Sequence, residues 1–191
     1  MPLNINFWIS LVWSVICLYW IITSLRLKPV ARMESFATRL LQWSLLCVVV
    51  ILMFSQRPLP AFFEQQVVPR STLASLFGIA VAGAGAMIAL AARRQLGGNW
   101  SASVTIKQGH ELVRSGPYAL VRHPIYFGLI IAALGTAIAF GQMRDWIALP
   151  IWVAAFRIKQ LKEEQMLVET FGDKYREYRR VVRSAMIPLL L

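Results

Sequence analysis

Two histidines, His110 and His123, and an adjacent acidic pair, Glu163-Glu164, are the residues of this chain whose types and placement point to chemistry. His123 sits in GPYALVRHPIYFG (Gly116–Gly128), which also holds two tyrosines and two prolines and leads directly into an apolar run. An imidazole at such a mouth can donate, accept or titrate near neutral pH. A lone histidine there is more often a hydrogen-bonded structural residue. Glu163 and Glu164 follow the exit of a further apolar run. Acidic side chains gain little beside anionic lipid, so a like-charged pair there points to something positive held nearby. Cys17 and Cys47 lie inside apolar runs with neither metal spacing nor a disulfide framework, and read as small buried hydrophobes. No metal site is expected.

The elements that must carry these residues are hydrophobic. Of 191 residues, 58% are hydrophobic and only 15% charged, against roughly a quarter charged in soluble domains. An integral membrane protein follows, with no length left for a large soluble domain. The expected fold is all-α with about five transmembrane helices. Spans are predicted over residues 5–25, 40–54 (lengthened by Phe36 and Ala37), 73–92, 125–140 and 146–156. The first has no basic leader and is too long for a signal h-region, so it reads as a retained span. The third is rich in small residues, Gly78, Ala82, Gly83, Gly85 and Ala86, which allow close helix approach in lipid. The last two read as a helical hairpin, with Pro150 a possible kink. Residues 1–92 thus form three N-terminal helices. Residues 93–191 form a second region: connector, two-span hairpin and C-terminal helices.

The connector, residues 93–122, is too long for a tight turn. Pro117 and Pro124 bias the residues before them away from α geometry and shape this loop. Past the hairpin the helix is expected to continue, with Lys159 and Glu163 on one face, to a stop at Gly172. A short basic amphipathic helix follows, whose charges read as a headgroup-facing surface.

Charge supports the span count. The chain carries +11 at pH 7. Seventeen of its 20 Lys and Arg fall on one side of a five-span arrangement and three, Arg57, Arg70 and Arg144, on the other. The positive-inside rule then places the N-terminus outside and the C-terminus in the cytoplasm. Connector and tail share the cytoplasmic side, where they can form one site. No aromatic-basic module for nucleic acid is present.

Five motifs in this order resemble the isoprenylcysteine carboxyl methyltransferase family, and more broadly membrane methyltransferases that include phospholipid N-methyltransferases. They are LGGNWS (Leu96–Ser101), GHELVRSGPY (Gly109–Tyr118), RHPIY (Arg122–Tyr126), KEE (Lys162–Glu164) and FGDKYREY (Phe171–Tyr178), within a match from about Leu96 to Pro188. The earlier spans match in hydropathy only. The resemblance implies S-adenosyl-L-methionine enclosed at the cytoplasmic face and a lipophilic substrate entering from the bilayer. It assigns cofactor contacts to His110, Glu111, Leu112, Val113, Tyr118, His123, Pro124, Ile125, Tyr126 and Glu163. It also implies an arginine one turn before the glutamate, holding a substrate carboxylate. Here that position is Lys159, with Arg157 two residues away on roughly the opposite face. Lysine offers a point charge where arginine grips bidentately, which leaves the acceptor open.

The chemistry is consistent with those residue types. The cofactor's ammonium calls for a carboxylate such as Glu163 or Glu164; its carboxylate for donors such as His110, Arg122 or His123; its adenine for an apolar slot near Tyr118, Tyr126 and Trp100. A carboxylate acceptor is already ionised and needs no base, so no catalytic base is assigned. An amine acceptor, as in phosphatidylethanolamine, would make His123 or Glu164 a candidate base. A transport or structural subunit is the competing class. It would place charges within its spans, and the first four spans contain none.

Overall fold

A computed structural model describes residues 4–25, 27–55 and 57–187. Arg26, at the start of the first basic loop, and Pro188, where the motif resemblance ends, lie outside the described residues. Helix α1 spans Ile5–Ser24, α2 Phe36–Phe54, α3 Ala61–Glu64 and α4 Thr72–Leu96. Helix α5 spans Pro124–Phe140, α6 Met143–Phe171 and α7 Asp173–Val181. Asn4, Ser35 and Ser71 cap α1, α2 and α4, each side chain accepting a first-turn N–H. Pro124 opens α5 at the first helical position, where its missing N–H costs nothing.

Helices α1, α2 and α4 are long and apolar enough to cross a membrane, and α5 is a shorter apolar helix. Helix α6 runs unbroken through Pro150, so the fifth apolar stretch and the tail beyond it are one 29-residue element. Gly172 ends it at φ 56°, a left-handed value a side chain rarely adopts.

The tightest packing is between α4 and α5. Gly78, Ala82, Gly85 and Ala89 on α4 meet Ala139, Gly135, Ala132 and Gly128 on α5, running antiparallel at alternating spacings of four and three. A Cβ built on Gly85 would stand 2.3 Å from the Ala132 nitrogen, and one on Gly135 2.2 Å from the Ala82 nitrogen. The backbones touch because the side chains are absent. Gly83 faces open space, so not every small residue of that run belongs to the seam. Helix α1 lies against this pair, where the Trp13 indole donates to Thr136 Oγ1 at 3.0 Å.

The all-α expectation needs one correction. Val30–Met33 (β1) and Thr105–Lys107 (β2) form a small antiparallel sheet, pairing Val30 with Lys107 and Met33 with Thr105. Beyond its end Glu34 Oε1 accepts the Val104 N–H at 3.0 Å. Two strands of four and three residues carry too few positions for an alternating pattern, which is why the sequence reading passes over them. The sheet pins the loop before α2 to the connector after α4, giving the connector a fixed floor.

Candidate active site

The connector, the start of α5 and the outer half of α6 enclose one cavity. The end of α4 and the turn after it supply Leu96, Asn99 and Trp100; β2 supplies Thr105 and Ile106. His110, Tyr118, His123, Ile125 and Tyr126 complete the wall, with Glu163 and Met166 from α6. Six of the ten positions assigned as cofactor contacts therefore come together: His110, Tyr118, His123, Ile125, Tyr126 and Glu163, with Arg122 and Trp100 beside them. Four others do not line it. Glu111 is exposed, Leu112 packs on the Tyr175–Tyr178 cluster, Val113 packs beside Tyr118 and Met186, and Pro124 is buried in the first turn of α5. Lys159 lines a second cavity, between α2 and α6, while Arg157 lines neither and donates to Gln160 Oε1.

His123 organises the charges. Its Nδ1 lies 3.3 Å from Glu163 Oε2 and its Nε2 3.4 Å from Glu164 Oε1. With an acceptor on each ring nitrogen, only the imidazolium can donate to both. Burial opposes that charge, but the bonds to Glu163 and Glu164 outweigh it and raise the His123 pKa. Burial likewise works against the Glu163 charge, yet the bonds to His123 and the Tyr126 hydroxyl, and the nearby Lys159, hold its carboxyl below the usual range. Glu164 is held at about 2, against its own burial, by His123 and Arg122. His110 is the contrary case. Burial and then the Lys28 charge depress it, and its Nδ1 accepts the Lys107 N–H at 3.3 Å. A neutral ring whose Nδ1 accepts carries its proton on Nε2, which makes it a donor.

The two glutamates thus have different tasks. Glu164 is committed to Arg122 Nε at 2.8 Å, to His123 and to Arg179 Nε at 3.4 Å. Glu163 faces the cavity. The positive group expected beside the pair is, for Glu164, the protein's own arginine. Arg122 also donates to the carbonyls of Val182 and Arg183, while the backbone N–H groups of Arg122 and His123 donate to Ser184 and Ala185. The segment after α7 is therefore strapped across the back of the RHPIY motif. The Tyr178 hydroxyl adds a bond to the Tyr118 carbonyl at 2.6 Å.

Aromatic stacking links the two cavities. His123 stacks on Tyr126 at 5.4 Å and Tyr126 on Phe156 at 4.7 Å. The Lys159 ammonium sits 5.4 Å above the Tyr126 ring and donates to the Ala102 carbonyl at 2.6 Å. Phe156, Ala102 and Lys159 line the second cavity, whose remaining wall is apolar (Trp43, Leu46, Val49, Trp152, Ala155) except for Gln42.

Sequence reasoning missed several wall residues. Asn99 lies in a motif but has no role assigned there, and Trp100 is named only for the apolar slot. Here Trp100 is packed under the Arg93 guanidinium at 4.5 Å and faces the cavity. Thr105 and Met166 carried no signal that a single sequence displays.

Residues 77–169 match the isoprenylcysteine carboxyl methyltransferase family. The match begins inside α4, earlier than the motifs indicated, and stops before FGDKYREY. Among curated relatives, the protein-S-isoprenylcysteine O-methyltransferase of Schizosaccharomyces pombe is 41% identical over 100 residues, covering 50% of this chain and 42% of that protein. The Homo sapiens enzyme of the same name is 35% identical over 79 residues, covering 40% and 28%. The chain thus spans less than half the length of these relatives. A structure of the eukaryotic intramembrane Ras methyltransferase ICMT has the same fold, with a TM-score of 0.52 at 24% identity over 81% of this chain and 52% of that one. The likeness in fold and the three helices long and apolar enough to cross a membrane make this a multi-pass membrane architecture.

Proposed function

We propose that this chain is an S-adenosyl-L-methionine-dependent membrane methyltransferase that O-methylates the carboxylate of a lipophilic acceptor. The observation that carries the reading is the pair of adjoining cavities, one polar and charged, one apolar, that share a wall at Tyr126 and Lys159.

The polar cavity suits the cofactor. Asn99 Oδ1 and Thr105 Oγ1 are buried at its wall without a hydrogen-bond partner among the described residues, and a ligand that supplied those partners would remove their cost. The bound cofactor would supply a methyl group on a positively charged sulfur. Glu163 is placed to hold its ammonium, His110 to donate to its carboxylate, and Trp100, Ile106 and Met166 to offer the apolar slot. Glu111, Leu112, Val113 and Pro124 would contribute through backbone or from outside the wall.

The apolar cavity suits the acceptor. It is lined by apolar stretches of α2 and α6, and its single cation is Lys159. A carboxylate is drawn to that ammonium and a protonated amine repelled, which favours the carboxyl acceptor over an amine lipid. Burial lowers the Lys159 pKa, but the nearby Glu163 and Glu34 charges partly restore it. Holding a carboxylate and a sulfonium methyl in line, away from water, supplies much of the rate without a base. In this reading the chain has five spans, the N-terminus outside and the site at the cytoplasmic face, and residues 93–191 form the methyltransferase region.

The test is transfer of labelled methyl from S-adenosylmethionine to a membrane lipid extract and to an S-farnesylcysteine analogue, followed by mass spectrometry. A base-labile ester on the carboxylate acceptor is expected. Label confined to amine headgroups would overturn the acceptor assignment, and no transfer to any acceptor would overturn the activity.

A further inference from the structure

A second charged cavity lies at the opposite end of the helices. It is about 650 Å³ in volume and is bounded by the start of α1, the segment between α2 and α4, and the turn from α5 into α6. Arg57, Arg70 and Arg144 all line it. These are the three basic residues that the charge distribution placed on the side away from the candidate active site. They come from three separate segments: after α2, just before α4, and the first turn of α6. Scattered interfacial arginines would have no reason to converge on one hollow.

The cavity is amphipathic. Its floor is apolar, with Ile9 and Met53 each 1% exposed, flanked by Phe54 and Phe140. Its rim adds Asn4, Asn6, Ser10 and Gln142 to the arginines. Arg144 is braced, Nε donating to Gln142 Oε1 at 2.8 Å and a terminal nitrogen to the Ser55 carbonyl at 3.2 Å. The acid on the wall, Glu64, has one oxygen accepting the Leu59 N–H at 3.0 Å. Helices α1 and α6 both begin at this rim, so their positive ends add to the arginines' field.

We propose that this cavity binds the phosphate headgroup of an anionic membrane lipid. Arginine forks match phosphate oxygens bidentately, and the three arginines exceed the one acid. A free phosphate would satisfy the arginines but leave the half-buried Ile5, Phe54 and Phe140 of the wall facing water. A lipid's glycerol and upper acyl segments cover those side chains and continue onto the exposed Phe7 and Trp8 of α1. The site is separate from the methyl-transfer chemistry and needs no part of it.

Native mass spectrometry of the full chain in neutral detergent, titrated with phosphatidylglycerol and separately with phosphatidylcholine, tests this. The unaltered chain should retain one phosphatidylglycerol in preference to phosphatidylcholine. Arg57→Gln/Arg70→Gln/Arg144→Gln should weaken retention at least about tenfold, a loss of about 1.4 kcal/mol. Arg57→Gln/Arg70→Gln spares the Arg144 bonds to Gln142 and Ser55 and should still weaken it several-fold, which separates binding from folding. Lys174→Gln/Arg180→Gln, on exposed α7, should leave it intact. Equal retention by the Arg57/Arg70 variant, or loss in the α7 variant, overturns the site. Displacement of the lipid by millimolar inorganic phosphate overturns the lipid as its occupant.

Discussion

Gly85 and Gly83 sit two residues apart on α4, and replacing each by alanine separates intrinsic helix propensity from packing. Both substitutions remove a glycine from a helix interior, which favours the folded chain by roughly 0.5–1 kcal/mol. At Gly83 nothing lies within 4 Å of the new Cβ. At Gly85 the new atom stands 2.3 Å from the Ala132 nitrogen, so reaching the 3.4 Å at which ordinary contact begins requires about 1.1 Å of separation. The atoms in the way are backbone of α5, and no side chain can swing aside. Overpacking of that kind costs about 1–3 kcal/mol. Gly83→Ala should therefore raise the midpoint of thermal unfolding in detergent, and Gly85→Ala should lower it by a net of roughly 0.5–2 kcal/mol on the same scales. The seam also predicts a gradient along α5. A Cβ on Gly128, 2.5 Å from the Ala89 nitrogen, pushes less than a turn from Tyr126, whereas Gly135 lies two turns further on. Gly128→Ala should weaken S-adenosylhomocysteine binding by calorimetry, and Gly135→Ala should affect mainly stability. Equal midpoints for the Gly83 and Gly85 variants would refute the close seam. Equal losses of binding at 128 and 135 would refute its link to the site.

Three other expectations follow from the charges. Glu163→Ala should abolish saturable S-adenosylhomocysteine binding, while Lys159→Ala should raise the apparent KM for the lipid acceptor and leave cofactor affinity nearly unchanged; the opposite split would exchange their roles. Glu164→Gln leaves Arg122 and His123 buried beside a neutral amide and should cost about 3–5 kcal/mol of stability, read by thermal or denaturant unfolding; a change under about 1 kcal/mol would place that network outside the fold's support. The raised His123 contributes stability that is complete below its ordinary 6.5 and is lost as pH rises through its folded value, whereas Glu163 and Glu164 contribute above their ordinary 4.5 and lose it in acid. The unfolding midpoint should thus be highest between about 4.5 and 6.5, and His123→Gln should flatten the alkaline decline; an unchanged decline would assign it to another group.

Hydropathy displayed the long helices because lipid demands unbroken apolar runs, and α1, α2 and α4 end within a few residues of where composition placed them. Motif order displayed His110, Tyr118, His123 and Tyr126 because both histidines of the chain and two of its tyrosines fall in one stretch of loop and helix start. Other features were invisible for physical reasons. Glu34 helps fix the connector through two bonds to Val104, its N–H donating to the carbonyl and its Oε1 accepting the N–H, and nothing in its own neighbourhood marks it. Asn99 and Thr105 matter as unpartnered atoms in a closed space, a property of three-dimensional packing rather than of residue type. The division of labour between Glu163 and Glu164 depends on which face of α6 meets Arg122, and adjacent residues on a helix point about 100° apart.

The strap of residues 182–185 across the RHPIY motif sets an order of events during biosynthesis. Arg122 and His123 leave the ribosome some sixty residues before the carbonyls that hold their N–H groups and the Arg122 guanidinium. Until those carbonyls arrive, Arg122 and His123 lack their backing and the cavity lacks a rigid rear wall. A nascent chain that has formed α5 and α6 is therefore still without the bonds that fix Arg122 and His123. On the proposed reading, binding competence therefore waits for residues 182–185, and a chain that stops short of them would carry the RHPIY motif without its backing.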